Sequence, residues 1–142
     1  TGLRFVDVKA LKYSHIDFST ARLKIDQLKT GTPVIVDLNQ TALKLIGKPE
    51  TEDSVVFDLP GRKWATKTIS NLVKKAGINK HITWHCARHS LAVNLLTSDE
   101  KPDIKTVSSI LGHTSTRTTE VYMHVVDDLK KKAVNALPEY EL

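Results

Sequence analysis

The sequence predicts an α+β fold that is mainly α-helical and carries a small three-stranded antiparallel sheet. Apolar residues recur at helical spacing over most of the second half of the chain, in the ranges 64–76, 85–96 and 104–111. Residues 20–38 instead alternate between apolar and polar side chains, as the two strands of a hairpin do. The short apolar run Val55–Phe57 is predicted to supply the third strand.

The composition is that of one domain with a positive charge. The 142 residues are enough to bury a hydrophobic core. The formal net charge of +5 favours an acidic partner such as DNA, although domains with this charge often bind no nucleic acid. Cys86 is the only cysteine, so an internal disulfide is excluded and an intracellular setting is favoured. No apolar run approaches the roughly 20 residues that a membrane helix needs, and no signal peptide is recognisable.

Short helices flank the hairpin in the first half of the chain. Residues 1–13 are typical of a helix end and a turn followed by a short helix. The hairpin loop runs over Gln27–Pro33 and contains a glycine and a proline, which favour a turn. Residues 39–47 are predicted to form a helix that Asn39 caps and Gly47 ends.

Helices dominate the second half. An amphipathic helix is predicted over Trp64–Ala76, ended by Gly77. A central helix opens at His85, and Asp103 is predicted to cap a further helix over Ile104–Leu111, whose apolar residues face inward.

Two more helices are predicted at the end of the chain. The first carries Tyr122 and follows the hydroxyl-rich segment Thr114–Thr119, which suits capping of that helix and bonding to phosphate. The second is amphipathic and runs over Val125–Leu137. Residues 126–142 are therefore interpreted as a C-terminal helix and tail.

Four residues suited to phosphate chemistry lie on the central helix or in the segments that follow it. His85 and Arg88 are three positions apart and share one helix face. His113 follows the predicted helix end at Leu111–Gly112, and Tyr122 comes nine positions after His113. A phenol, a guanidinium and two imidazoles suit phenolate attack on a phosphodiester, with cationic groups around the phosphate.

This spacing resembles that of the catalytic domain of the tyrosine recombinases, which are also called the phage-integrase family. Within the family, the motifs are most similar to those of mobile-element integrases. Thr1–Arg4 with Asp7 resembles the family's first arginine motif, and Lys29–Gly31 resembles the lysine of its β-hairpin. The resemblance covers essentially the whole chain, with six positions in order. It implies the DNA breaking-rejoining fold for residues 1–142, as the C-terminal part of a longer protein with further catalytic-domain helices and a core-binding domain upstream.

The resemblance implies a catalytic role for six residues: Arg4, Lys29, His85, Arg88, His113 and Tyr122. In the implied mechanism Tyr122 attacks a backbone phosphate of duplex DNA, His85 is the general base, and Lys29 protonates the leaving 5′ oxygen. The two arginines and His113 hold the nonbridging oxygens. The 3′-phosphotyrosyl bond conserves the energy of the broken bond, so neither ATP, a metal nor another cofactor is expected.

Some of these residues also fit ordinary roles. Arg4 is otherwise a solvated surface arginine. Asp7 is a supporting residue that orients Arg4 or braces the site, or else a surface or capping residue. Lys24 is the alternative to Lys29 for the role of the catalytic hairpin lysine.

The central helix permits a zinc hypothesis as well. His85 and His89 are four positions apart beside Cys86, but the glutamate of the zinc-protease motif and a clear third or fourth ligand are absent from the local sequence. His89 is therefore interpreted as a hydrogen-bonded structural histidine and Cys86 as a buried small side chain.

Further DNA contacts are predicted outside the catalytic set. Basic residues cluster at the start of the 64–76 helix, and the alternative for them is a solvated face. The predicted DNA-binding residues are Arg62, Lys63, Lys67, Thr114 and Ser115. The implied partner is double-stranded DNA, which a homotetramer binds at paired sites. Without DNA the chain is expected to be a monomer or a weak oligomer, and no membrane is expected as a partner. The C-terminal helix packs either on its own domain or on a neighbouring protomer, and the implied setting is cytoplasmic, nucleoid-associated and prokaryotic.

Three functions follow from the sequence. The first is DNA strand exchange by a site-specific recombinase or integrase. A type IB topoisomerase-like relaxing enzyme shares the chemistry, and a DNA-binding module without activity is the third. The sequence has neither a Walker-type loop nor a carboxylate cluster for two metal ions, so nucleotide-driven or two-metal chemistry is not expected.

Overall fold

The computed structural model describes residues 1–49, 51–100 and 102–136, and the predicted tail beyond residue 136, which includes Leu137, lies outside the described residues. Within these ranges the chain forms seven α-helices and three strands, with a 3-10 turn at Tyr13–His15. Their bounds in chain order are α1 Phe5–Lys9, β1 Ile16–Asp17, β2 Arg22–Asp26, β3 Pro33–Asp37, α2 Gln40–Ile46, α3 Arg62–Lys75, α4 Trp84–Leu96, α5 Ile104–Leu111, α6 Arg117–Glu120 and α7 Met123–Asn135. No helix in the described part of the chain is both long and apolar enough to cross a membrane.

The three strands form one antiparallel sheet in the order β1-β2-β3, as the sequence predicts for the fold class. The pairing sets Leu23 opposite Val36, and the inner residues of both strands alternate with exposed ones. This alternation is the period-2 pattern of a half-buried sheet. Beneath it lies a first apolar core, whose buried members are Leu3, Leu11, Ile16, Leu23, Ile25, Val34, Val36, Leu38 and Ile46.

The identity of the third strand was predicted wrongly. The structure uses Ile16–Asp17, whereas Val55 makes only an isolated bridge with Lys12 and Val55–Phe57 is not a strand. Ile16 pairs with Leu23 and is buried, while the side chain of Val55 is 46% exposed. A strand of two residues contains no alternation that a sequence pattern detects.

The helices of the second half enclose a second apolar core. Its buried members are Ala92, Leu96, Val107, Leu111 and Tyr122. Asp103 caps α5 by accepting a hydrogen bond from the backbone N–H of Thr106 at 2.7 Å, as predicted. The helix ends at Gly112, whose φ of +63° is the left-handed conformation that favours glycine.

Several local predictions need correction. Helix α3 begins at Arg62, two residues before the predicted start. Cys86 is half-buried rather than buried, and its sulfur accepts a hydrogen bond from the backbone N–H of Thr83 at the start of α4. Tyr122 lies in the turn between α6 and α7 rather than on a helix. The bonds from Tyr122 N–H to Thr119 and from Val125 N–H to Tyr122 each span three residues. This tight turn bends the chain where the Tyr122 ring enters the helical core.

Candidate active site

A cleft of about 640 Å³ opens where the hairpin loop meets the starts of α1, α3 and α4. Three of the predicted catalytic residues line it, Arg4, Lys29 and His85. Each comes from a different part of the chain, which the fold brings together. The predicted DNA-binding residue Arg62 lines the same cleft, so its rim carries four side chains of basic type.

The backbone around Arg4 is fixed by its neighbours on both sides. Leu3 and Phe5 are buried, and the ring of Phe5 meets Trp84 of α4 edge-on, with 5.1 Å between centroids. The indole Nε1 of Trp84 donates to the Leu3 carbonyl at 3.4 Å. Arg4 therefore starts α1 from a segment packed on α4, and its guanidinium Nη1 donates to the side-chain oxygen of Gln27.

Arg88 is almost completely buried, with 4% of its surface exposed. Its Nη1 donates to the Gly2 carbonyl at 2.6 Å and its Nη2 to the Leu111 carbonyl at 2.5 Å. Burial and the nearby charge of Arg4 lower the pKa of Arg88 to about 10, so the side chain stays charged at neutral pH. The second arginine thus joins the segment before α1 to the C-terminal end of α5.

Gln27 connects the two arginines, and the sequence interpretation missed it. It is 1% exposed, and its side-chain oxygen accepts hydrogen bonds from Arg4 and, at 2.9 Å, from the hydroxyl of Thr30. Its amide nitrogen donates at 3.2 Å to the Leu111 carbonyl, which also accepts from Arg88. The strand alternation offered a signal, since Gln27 continues the inward series of Leu23 and Ile25 and is a polar residue on the core face.

The hairpin loop that carries Lys29 is held down by Asp7. The Oδ1 atom of Asp7 accepts a hydrogen bond at 2.9 Å from the backbone N–H of Leu28, the residue before Lys29. Asp7 is 3% exposed, and among the described residues no hydrogen bond joins its carboxylate to the Arg4 side chain, although its backbone N–H donates to the Arg4 carbonyl at 3.0 Å. Of the two roles expected for this carboxylate, the geometry therefore fits bracing rather than direct orientation of Arg4. Lys24 is exposed on β2 and does not line the cleft, whereas Lys29 does.

His113 lies beside both arginines. Its Nδ1 is 2.7 Å from the hydroxyl of Thr119, a fully buried residue of α6. Burial, followed by the charges of Arg88, Arg4 and His85, lowers the pKa of His113 to about 4. The imidazole is therefore neutral at pH 7, and its pKa is sensitive to three of the other predicted catalytic residues.

His85 is exposed at the start of α4. Partial burial lowers its pKa, and the charges of His89, Arg88, Arg4 and Arg62 lower it further. At neutral pH the ring is thus in the neutral form that a general base requires. Its edge faces the ring of His89, with 5.0 Å between centroids.

The hydroxyl of Tyr122 is paired with His89, not with His85. It forms a hydrogen bond with Nδ1 of His89, and the two rings lie 5.5 Å apart between centroids. Tyr122 is 7% exposed; burial raises the pKa of its phenol, and the charge of Arg88 opposes that rise. His89 is therefore hydrogen-bonded as predicted, but its partner is the predicted nucleophile.

The remaining predicted DNA-binding residues lie outside the cleft. Lys63 and Lys67 are exposed on α3, and Thr114 and Ser115 are exposed in the segment before α6. The hydroxyl oxygen of Ser115 accepts from the backbone N–H of Arg117 at 3.2 Å. Across residues 1–49, 51–100 and 102–136, no group of three or more His, Cys, Asp and Glu side chains is arranged to hold a metal ion.

The sequence matches a profile described as "Phage integrase family" over residues 1–128. Two curated relatives are the Tyrosine recombinase XerC of Chlamydia muridarum (strain MoPn / Nigg), 31% identical over 145 residues, and the Tyrosine recombinase XerD of Listeria monocytogenes serotype 4b (strain F2365), 31% identical over 140 residues. The alignments cover 93% and 88% of this chain but 45% and 46% of those proteins. The chain thus spans less than half the length of the curated relatives it matches.

Solved structures of similar fold belong to the same class of protein. The XerA recombinase shares 28% identity at a TM-score of 0.73, covering 99% of this chain and 54% of that one. The XerH site-specific recombinase, bound to palindromic difH substrate in a post-cleavage complex, shares 19% identity at a TM-score of 0.71. That match covers 96% of this chain and 42% of that one. The catalytic domain of bacteriophage HP1 integrase shares 21% identity at a TM-score of 0.67, and the match covers 97% of this chain and 76% of that one. The last two likenesses concern the fold alone.

Proposed function

The chain belongs to the phage integrase family, and from this premise we propose that it supplies the strand-cutting chemistry of a site-specific DNA recombinase or integrase. One observation carries the proposal. Arg4, Lys29 and His85 share a cleft, while Arg88 and His113 are close enough to Arg4 for its charge to lower the pKa of each. A phosphodiester seated there would be surrounded by positive charge and hydrogen-bond donors.

In the proposed reaction, His85 accepts the phenolic proton of Tyr122 as the Tyr122 oxygen attacks a backbone phosphorus of duplex DNA. A 3′-phosphotyrosyl bond forms and the bond to the 5′ oxygen breaks, with Lys29 giving a proton to that oxygen. Arg4, Arg88 and His113 bind the nonbridging oxygens as charge accumulates on them. Removing one such donor typically costs on the order of 100- to 1000-fold in rate. Attack by the 5′ hydroxyl of a partner strand then rejoins the DNA and frees Tyr122.

The binding partner that we propose is double-stranded DNA. The XerH recombinase is described as bound to its difH substrate and the Tn1549 transposon integrase as complexed with circular intermediate DNA, and both share the fold. Arg62 extends the basic rim of the cleft along α3, where Lys63 and Lys67 are also exposed and suited to phosphate contacts. We further propose assembly to a homotetramer on paired sites, acting on the DNA of a prokaryotic nucleoid.

Covalent capture tests the proposal directly. The protein is incubated with a pool of duplexes of random sequence, each carrying a nick, so that the short strand beyond a cut diffuses away and the covalent complex accumulates. The wild-type chain should yield a denaturant-resistant adduct on a 3′ end, which also identifies the site by sequencing. Tyr122→Phe should lose the adduct while DNA binding persists.

Tyr13→Phe is the matched control, since the Tyr13 hydroxyl bonds the Ile46 carbonyl at 2.9 Å within the sheet core. Undiminished capture by Tyr122→Phe would exclude Tyr122 as the nucleophile. If released strands rejoin only to their own partner, the enzyme is a type IB topoisomerase-like relaxing enzyme. Salt-sensitive binding without any adduct would instead indicate a non-catalytic DNA-binding module.

A further inference from the structure

Thr119 is a fully buried polar residue of the short helix α6 that contacts two of the predicted catalytic residues. Its hydroxyl lies 2.7 Å from Nδ1 of His113, and within the described part of the chain this is the one hydrogen bond of that hydroxyl. Its backbone carbonyl accepts from the Tyr122 N–H at 3.0 Å. The side chain of Thr119 therefore acts on His113, while its backbone belongs to the turn that carries Tyr122.

Burial decides which partner donates in the bond between Thr119 and His113. A threonine hydroxyl has one hydrogen to donate, and a neutral imidazole carries its hydrogen on only one of its two nitrogens. If Nδ1 carried that hydrogen and donated it, the hydroxyl hydrogen of Thr119 would have no acceptor among the described residues. A buried donor left in this state disfavours the arrangement by roughly five-fold to 150-fold. The hydroxyl of Thr119 therefore donates to Nδ1, and the ring hydrogen is on Nε2.

We propose that Thr119 is a positioning residue that fixes His113 in the tautomer with its hydrogen on Nε2, so that this N–H donates to a nonbridging oxygen of the phosphate under attack. The inference rests on the proposed function. No hydrogen bond engages Nε2 of His113 among the described residues, so its N–H is available to a ligand. A nonbridging oxygen is anionic and accepts only, so it binds an N–H and is repelled by a nitrogen lone pair.

The neutral state of His113 is what gives Thr119 this importance. Burial and the charges of Arg88, Arg4 and His85 hold the pKa of His113 at about 4, so the ring is neutral at pH 7. An imidazolium would carry a hydrogen on both nitrogens and would donate whatever its neighbours were. In a neutral ring, the hydrogen bond at one nitrogen determines whether the other nitrogen is a donor or an acceptor.

Nitrogen NMR of the free chain tests the tautomer without DNA. In wild-type protein labelled with ¹⁵N-histidine at pH 7, the His113 signals, identified by their loss in His113→Gln, should show a hydrogen on Nε2 and none on Nδ1. Thr119→Val keeps the shape of the side chain but lacks the hydroxyl, so it should shift the Nδ1 signal, whereas Thr119→Ser should keep the wild-type pattern. A hydrogen on Nδ1 in the wild type would overturn the inference and leave the proposed function intact.

Covalent capture on the duplex recovered from the random pool tests the consequence for strand cutting. Thr119→Val should slow adduct formation by about ten-fold, because Nε2 of His113 no longer donates in a fixed orientation. Thr119→Ser should restore most of the rate. Thr41→Val is the control, since Thr41 is exposed on α2, and it should match wild type. Wild-type capture by Thr119→Val would overturn the inference.

A double variant separates positioning of His113 from a purely structural role in the turn before Tyr122. His113→Gln removes the ring on which the Thr119 hydroxyl acts, so adding Thr119→Val to it should slow capture by less than about two-fold more. Damage to the turn would instead slow capture equally with His113 present or replaced. That result would overturn the inference, while the wild-type adduct would still support the proposed function. Absence of any wild-type adduct would overturn both.

Discussion

Arg4 donates a hydrogen bond from its guanidinium to the side-chain oxygen of the buried Gln27. The partner is a neutral amide, so Arg4 is held in place and no carboxylate offsets its positive charge. The same amide donates to the Leu111 carbonyl that Arg88 also binds. One glutamine thus holds Arg4 directly and shares an acceptor with Arg88, and it leaves the positive charge of both arginines available to a phosphate.

Gln27→Glu should therefore slow covalent capture although it preserves the shape of the side chain. A carboxylate would pair with Arg4 and would give the Leu111 carbonyl no hydrogen, which leaves a buried acceptor with one donor fewer. We expect a loss of roughly 1–3 kcal/mol in the free energy of unfolding and a capture rate at least about ten-fold lower. Urea unfolding and single-turnover capture measure the two effects.

Gln40→Glu is the control for that substitution, since Gln40 is exposed at the start of α2. It should change neither stability nor capture by a measurable amount. Wild-type capture by Gln27→Glu would show that the amide contributes nothing to the arginines. Gln27→Leu also lacks the amide donor but adds no charge. Comparing it with Gln27→Glu therefore separates the effect of the new carboxylate from the effect of the lost hydrogen bond to the Leu111 carbonyl.

Gly112→Ala should destabilise the protein far more than Gly31→Ala. Both glycines have a φ of +63°, so an added methyl group meets the same backbone strain, roughly 1–2 kcal/mol. A Cβ at Gly112 would lie 2.3 Å from side-chain atoms of Gln27 and Val34, whereas nothing lies within 4 Å of one at Gly31. Overpacking adds about 1–3 kcal/mol. Equal urea midpoints for the two variants would refute this close approach.

Asp7→Ala should release the hairpin loop. The Asp7 carboxylate accepts from the Leu28 backbone N–H at 2.9 Å and is buried, so alanine leaves that N–H without its partner. We expect a loss of about 1–3 kcal/mol in stability, faster amide exchange at Leu28, and slower capture through misplacement of Lys29. Asp53→Ala is the control, because its 3.8 Å ion pair with Lys12 is exposed and contributes little. Unchanged exchange at Leu28 would contradict the bracing role.

Sequence patterns were sufficient for elements that depend on neighbours along the chain. The hairpin follows from alternation, and the bounds of α5 follow from Asp103 and Gly112, because capping and glycine conformations are local. The spacing of His85, Arg88 and His113 likewise pointed to residues whose charges interact in the structure. Their catalytic roles stay predictions.

Long-range pairs were beyond those patterns. Gln27 and the Leu111 carbonyl are 84 positions apart, and only the folded hairpin sets them against the end of α5. The partner of His89 depends on a turn that bends the chain at Tyr122, where the sequence predicted a helix. The strand Ile16–Asp17 was missed for a related reason, since its two residues gain their structure from pairing with β2.

His113 should make the protein less stable as the pH falls below neutrality. Its folded-state pKa is about 4, whereas an unfolded histidine has a pKa near 6.5, so between these values the unfolded chain binds more protons and stability rises with pH. Lowering the pH from 7 to 4 should remove about 1 kcal/mol through this group, a figure reduced for the solvent screening of a half-buried ring. Urea unfolding of wild type and His113→Gln across this range should show a smaller slope in the variant. The exposed His124→Gln should keep the wild-type slope. If His113→Gln and wild type have parallel profiles, burial and the charges of Arg88, Arg4 and His85 do not depress the pKa of His113 in the folded chain.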